Sequence, residues 1–198
     1  MRRLPAVPAG RRIGLLGGSF NPAHEGHVHL SEMARRALRL DEIWWLVSPQ
    51  NPLKPVQGMR PLNERLAGAR AMAKGHPIRV SDLERVLGTR YTVDTIEALQ
   101  ARYRGVRFVW LMGADNMAGL PRWSRWRGIV ARIPVAVYPR PGHTLKARLA
   151  LAASVWRGHC LDPEDAALLA AMPPPALVFL AGREHPASAT AIRARTGR

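Results

Sequence analysis

Three blocks near the N-terminus leave few folds open to this chain. Ile13-Gly14-Leu15-Leu16 is an apolar run of strand length, stopped by Gly17-Gly18. Leu30, Met33, Ala34, Ala37 and Leu38 then recur at i, i+3, i+4, i+7 and i+8, the apolar face of a helix. Ile43-Trp44-Trp45-Leu46-Val47 follows, a second apolar run rich in β-favouring residues. Strands without polar alternation are buried on both faces, so the three blocks predict a βαβ unit in a covered parallel sheet. The alternation continues down the chain. Leu62, Leu66, Ala69 and Ala73 predict a helix, Ile78 to Val80 a strand, and Thr92 the N-cap of a helix that buries Val93, Ile96, Leu99 and Tyr103, with Asp94 in its first turn. Phe108-Val109-Trp110-Leu111-Met112, ended by Gly113, is the most hydrophobic strand; Val135 to Tyr138 and Ala176 to Leu180 are two more, the last leading to a helix from Ser188. Residues 143–171 are rich in alanine and leucine and predict helix without a readable topology. The fold class is α/β, a doubly wound parallel sheet in a single domain. That domain spans residues 13–198, and residues 1–12, rich in Pro, Gly and Arg, read as a flexible basic arm.

Size and charge narrow the function classes. A chain of 198 residues supports one self-sufficient core. Lys and Arg number 30 against 14 Asp and Glu, a formal charge of +16 that favours anionic partners: nucleic acid, a membrane surface or a phosphorylated small molecule. Only Lys54, Lys74 and Lys146 are lysines, and the arginines are dispersed rather than striped, a weak pattern for nucleic-acid binding. The single Cys160 excludes an intramolecular disulfide framework and a Cys-rich zinc site, and it points to a reducing cytoplasm. No apolar h-region follows the basic N-terminus and no apolar run is long enough to span a bilayer, so neither secretion nor a membrane partner is expected. Trp44, Trp45 and Trp156 are compatible with core or interface, and the expected state is monomer or homodimer.

The chemistry concentrates in Gly17-Gly18-Ser19-Phe20-Asn21-Pro22-Ala23-His24-Glu25-Gly26-His27, between the first strand and the first helix. No Gly-Lys-Ser/Thr closes it as a Walker A loop, and its glycines lack the G-x-G-x-x-G spacing of a dinucleotide fingerprint. Its physics is still that of a phosphate site: glycines admit a ligand to the backbone, and unpaired N–H groups gather at a helix N-terminus. His24 and His27, three residues apart, share one face of the opening turn. His24-Glu25 begins like a zincin motif, but the second histidine falls at i+3, so H-E-x-x-H is absent and no metal ligand set is assigned. At the far end of the chain, Ser188 can cap a helix on which Thr190 and Arg193 share a face, a second grip for a polyphosphate.

G-G-S-F-N-P-x-H-x-G-H resembles the G-x-F-x-P-x-H-x-G-H signature of the nucleotidyltransferase superfamily, and Ala187 to Arg193 resembles its I-S-S-T-x-I-R segment. Arg90-Tyr91-Thr92, Gly113-Ala114-Asp115-Asn116 and Leu120-Pro121-Arg122-Trp123 are similar to the S-Y-T, G-x-D and F-x-x-W segments of bacterial nicotinate mononucleotide adenylyltransferases, in the same order. The resemblance runs from Gly17 to Arg193 and implies the Rossmann-like nucleotidyltransferase fold. It further implies that His24, His27 and Arg193 are catalytic, and that Gly17, Gly18, Ser19, Phe20, Gly113, Asp115, Ser188 and Thr190 join them in holding ATP. Trp123 is implied to stack on the pyridine ring, Tyr91 and Thr92 to hold the nicotinate carboxylate, and Lys54 and Arg140 to serve the pyridine nucleotide. Read alone, a tryptophan placed like Trp123 is more often a packed core or rim residue than a ligand platform, with Trp126 the core partner. The loop Pro49-Gln50-Asn51-Pro52-Leu53-Lys54 is shorter than the family's P-N-x-x-P-P-H-K and lacks its histidine.

The reaction implied is attack by the 5′-phosphate of nicotinate mononucleotide on the α-phosphorus of ATP, releasing pyrophosphate and the deamido dinucleotide. It needs no enzyme nucleophile. Catalysis comes from aligning two anions and stabilising the charge that develops. Mg2+ is expected to arrive with ATP, held by phosphates and water. The rivals are an adenylyltransferase of the same superfamily acting on nicotinamide mononucleotide or phosphopantetheine and, from another class, a basic RNA-binding module whose affinity would fall steeply with salt.

Overall fold

The computed structural model describes residues 5–50, 57–183, 185, 187 and 189–196. Seven parallel strands form one sheet: β1 (Arg12–Gly18), β2 (Glu42–Val47), β3 (Ile78–Ser81), β4 (Arg107–Gly113), β5 (Val135–Tyr138), β6 (Cys160–Leu161) and β7 (Leu177–Phe179), in the order β3-β2-β1-β4-β5-β7-β6. The order reverses between β1 and β4. In an open parallel sheet that is the switch point where the loops after the two strands diverge and leave a crevice.

The helices are α1 (Glu25–Ala37), α2 (Leu62–Ala73), α3 (Leu83–Leu87), α4 (Thr92–Arg102), α5 (Ala114–Gly119), α6 (Trp126–Val130), α7 (Thr144–Arg148), α8 (Leu151–Val155) and α9 (Ala189–Thr196). The period-2 pleat sends adjacent residues of each strand to opposite faces. Leu15, Trp44 and Trp110 therefore join a core with Leu83, Ile96, Met117 and Ile129, while Leu16, Trp45 and Leu111 join a second core with Leu30, Ala34, Leu66 and Ala69. Both indoles of the Trp44-Trp45 pair are fully buried, one in each core. Each removes roughly 150–250 Å² from water, on the order of 4–6 kcal/mol of hydrophobic stabilisation before entropy is counted. Their N–H groups are satisfied, Trp44 donating to Glu42 at 2.9 Å and Trp45 to the Ser31 hydroxyl at 2.8 Å. Trp156 packs edge-on against Trp126 inside the first core.

Several boundaries differ from those expected. β1 takes in Arg12, and the described part of the basic arm is docked: Gly10 N donates to Gly105 O at 2.8 Å, Arg11 pairs with Asp41, and Val7 packs on the core. Thr92 is the first residue of α4 and Tyr91 its N-cap, with no side-chain cap bond, so the cap side chain does not fill the first N–H groups of α4. Residues 143–171 are only partly α-helical. They hold α7 and α8, the two-residue strand β6 and a 3-10 helix over Pro163–Ala171. The single-turn helix α3 has no counterpart in the sequence pattern. The expected roles of Lys54 and Ser188 fall outside the described residues.

Candidate active site

The glycine-histidine segment occupies the crevice after β1. A Cβ at Gly17 would lie 2.7 Å from Trp110 Cη2, and one at Gly26 2.9 Å from His24 Nδ1 and 3.1 Å from Ala187 O. Side chains at these two positions would push β4 or α9's approach away from the crevice. Phe20 sits at φ 47, in the left-handed region that a bulky residue occupies only when its surroundings hold it there. What holds it is its ring, buried between Trp45 at 4.9 Å and His27 at 4.7 Å. Phe20 thus forms a floor beneath His27.

His24 is the N-cap of α1 and His27 its third residue. The ring centroids are 3.9 Å apart, and the His24 backbone N–H donates to His27 Nδ1 at 3.3 Å. An accepting Nδ1 leaves the proton of neutral His27 on Nε2. Below it, Ser31 Oγ donates to His27 O at 2.8 Å and accepts from Trp45, which locks the first turn of α1 to β2. His24 is buried, and its Nδ1 has no hydrogen-bond partner among the described residues. Burial, with Arg140 and His185 adding repulsion, lowers its pKa from 6.5 to about 4. At neutral pH His24 is an uncharged imidazole.

Two cavities open on this crevice. One, of about 390 Å³, is lined by His24, His27, Phe20, Asn21, Gly113, Asp115, Arg140, His143, His185, Ala187 and Ala189, among others. The other, of about 270 Å³, is lined by Ser48, Glu84, Arg90, Tyr91, Thr92, Trp110, Arg122, Trp123 and Ser124. Gly17, Gly18, Ser19 and Asn116 line both. The end of β1 therefore forms a shared wall, with a histidine side and a tryptophan side.

The arrangement is held from beneath by Arg65 of α2. Its buried guanidinium donates from Nη1 to Ser19 O and Ser48 O, both at 2.7 Å, from Nη2 to Pro49 O at 2.9 Å and from Nε to Arg60 O at 2.8 Å. Ser48 N also donates to Gly18 O at 2.9 Å. One side chain thus joins the loops after β1 and β2.

Comparison with known proteins agrees with this architecture. The family model described as cytidylyltransferase-like matches residues 15–195. A relative from Parvibaculum lavamentivorans, described as a probable nicotinate-nucleotide adenylyltransferase, is 59% identical over 100% of this chain and 98% of its own length. Another so described, from Caulobacter sp., is 52% identical over 93% of this chain and 97% of its own. The chain belongs to the nicotinate-nucleotide adenylyltransferase family. Among solved structures, the nicotinic acid mononucleotide adenylyltransferase of Plasmodium falciparum complexed with NaAD shares the fold at TM-score 0.69 and 15% identity, covering 93% of this chain and 83% of that one.

Within this nicotinate-nucleotide adenylyltransferase scaffold, most residues singled out by motif converge. Gly17, Gly18, Ser19, Phe20, His24, His27, Gly113 and Asp115 meet on the histidine side, and Tyr91, Thr92 and Trp123 on the tryptophan side. Trp123 is half-buried, packs on the core and also lines the cavity. Two placements differ from the sequence expectation. Arg140, assigned there to the pyridine nucleotide, stands on the histidine side, with Nε 3.8 Å from Asp115 and Nη1 donating to Ala187 O at 3.3 Å. β5 ends beside Gly113 of β4, and that register carries the following arginine toward α5 rather than toward Trp123. Arg193 lies in an adjoining groove with Pro22, Gly58, Met59 and Ile192, and donates to Asn21 O at 2.6 Å, joining α9 to the glycine-histidine loop from outside. Thr190 is the second residue of α9.

Glu84, Arg65, Ser48, Asn116, His143 and His185 were missed. Asn116 carried a signal, as the residue after Gly113-Ala114-Asp115, and so did Ser48, as the first residue of the proline-punctuated loop after the second strand. Arg65 and Glu84 meet their partners only across the fold, and His143 and His185 line the cavity.

Proposed function

We propose that the two cavities divide one transfer between them: ATP on the histidine side, nicotinate mononucleotide on the tryptophan side, and the reacting α-phosphate over Gly17, Gly18 and Ser19. The chain transfers AMP from ATP to nicotinate mononucleotide. A 5′-phosphate oxygen of the acceptor bonds to the α-phosphorus, the bond to the bridging oxygen breaks, and pyrophosphate leaves. The observation that carries this division is the shared wall, because an acceptor phosphate and an α-phosphate meet only where both cavities meet.

Each group then has a role. His27 Nε2–H donates to a phosphate oxygen, and His24, neutral at working pH, adds a hydrogen bond without the desolvation cost of a buried charge. Asp115 hydrogen-bonds the adenylate ribose or base beside Arg140. The N–H groups of the uncapped start of α4, at Tyr91 and Thr92, receive the nicotinate carboxylate, and the Trp123 face receives the ring. Mg2+ enters as the ATP complex. Among the described residues no three His, Cys, Asp or Glu side chains gather as a metal cage. The carboxylate that lines the histidine cavity, Asp115, lies near Arg140, so donors for the ion come from phosphate and water. The +16 charge speeds the encounter with anionic substrates. The lone Cys160, an exposed free thiol, suits a reducing cytoplasm.

The test is pyrophosphate release from MgATP with nicotinate mononucleotide, nicotinamide mononucleotide and phosphopantetheine offered in parallel. Strong release with the nicotinate compound is expected. Release with phosphopantetheine alone, or with none of the three, overturns the assignment.

A further inference from the structure

Glu84 is 7% exposed and lines the same cavity as Tyr91, Thr92 and Trp123. Among the described residues its side-chain partner is the Ser48 hydroxyl, which donates to the carboxyl, and no cationic group pairs with it. Burial raises its pKa from 4.5 to about 6 against the opposing effect of that hydrogen bond. A nearly buried carboxyl with no counter-ion among the described residues is costly unless something charged comes to it.

The structure assigns that counter-ion to the substrate: we infer that Glu84 pairs with the quaternary ring nitrogen of the pyridine nucleotide and selects a cationic ring. The inference rests on the reading of the tryptophan cavity as the acceptor site. A nicotinate ring bonded to ribose is a zwitterion, with a carboxylate at one edge and a fixed positive charge in the ring. The cavity offers the matching pair: the uncapped start of α4 with Arg90 for the anion, Glu84 and the Trp123 face for the cation. A neutral ring of equal shape satisfies only the first half.

The experiment uses the full chain and two acceptors, nicotinate mononucleotide and its carbon isostere, 3-carboxyphenyl ribose 5′-phosphate, whose ring is neutral. Wild type is expected to show a KM lower by about tenfold or more for the cationic ring. Glu84→Gln, which preserves volume and the bond to Ser48, removes most of that ratio by raising KM for the cationic ring, with kcat and the KM for ATP little changed. The wild-type ratio alone provides a test that needs no variant. It shrinks as pH falls through about 6, because Glu84 protonates, while Arg90 and Arg122 on the same cavity stay charged and the 5′-phosphate titrates alike in both acceptors. A wild-type ratio near one, or a ratio that neither Glu84→Gln nor acid alters, overturns the inference while turnover stays normal. Failure of the underlying assignment looks different, as absence of pyrophosphate release with nicotinate mononucleotide itself.

Discussion

Arg65 Nη1 donates to Ser19 O at 2.7 Å, so a buried guanidinium on α2 sets the position of the loop that forms the wall between the two cavities. The same group reaches Ser48 O, Pro49 O and Arg60 O. Removing it strips the donor from up to four carbonyls, each costing about 1–3 kcal/mol where it stays buried. Arg65→Met is therefore expected to lower unfolding free energy in urea by about 3 kcal/mol or more and to reduce kcat/KM for both substrates. Arg65→Lys recovers little of either, since an ammonium cannot span the planar fork of acceptors. Wild-type stability for Arg65→Met would show the network to be dispensable.

His27 rests on Phe20, and its Nδ1 accepts from the His24 backbone N–H; the function proposed above directs its Nε2–H to a phosphate oxygen. Loss of one such donor costs about 2.7–4 kcal/mol of transition-state stabilisation. His27→Ala should lower kcat two to three orders of magnitude on that basis and leave the fold intact, at a modest cost in the thermal unfolding midpoint because Phe20 loses an aromatic neighbour while its stack on Trp45 stays. Single-turnover AMP transfer at saturating substrates measures it, and a near-normal rate would remove His27 from the chemistry.

The acid limb of stability carries the mark of His24. Its folded-state pKa, about 4, lies below the unfolded 6.5, so between those values the unfolded chain binds more protons and stability falls as pH falls. Above 6.5 the contribution is fully present. Glu84 acts in the opposite sense: its raised pKa, about 6, favours the folded state as pH drops toward 4.5. His24→Asn is thus expected to lose less stability than wild type between pH 7 and pH 4, and Glu84→Gln to lose more. Parallel urea titrations across that range decide it; coincident pH curves for wild type and His24→Asn would mean that the imidazole is not held neutral.

What the sequence disclosed and what it hid follow from how far apart the partners lie. The βαβ start was legible because Ile13 to Val47 is local, and the phosphate loop because its eleven residues are contiguous. Tyr91, Thr92 and Trp123 were legible as motif fragments. Arg65 was not, since three of its four acceptors are backbone carbonyls 16 to 46 residues away, and a carbonyl leaves no trace in residue type. Glu84 reads as an ordinary first-turn acid of a short helix; only the fold shows that it faces a cavity. α3 and β6, at five and two residues, are too short for any periodicity to register. The side on which Arg140 stands was not legible, because it depends on the β4–β5 register, which no local pattern specifies.

Trp123 supplies the last test, of how the acceptor is held. The residue follows the 3-10 turn Leu120–Arg122 in extended backbone, half-buried, one part packed on the core and another on the cavity. A ring stacked on it gains about 0.5–1.5 kcal/mol beyond area burial, and more where the ring is cationic. Trp123→Ala should raise KM for nicotinate mononucleotide by about tenfold or more, each factor of ten being about 1.4 kcal/mol, and leave the KM for ATP nearly unchanged. Trp123→Phe, which keeps a smaller face, should fall between the two. Initial-rate kinetics with each substrate varied in turn separates these outcomes. Equal effects on both KM values would show that Trp123 supports the shared wall instead of the acceptor.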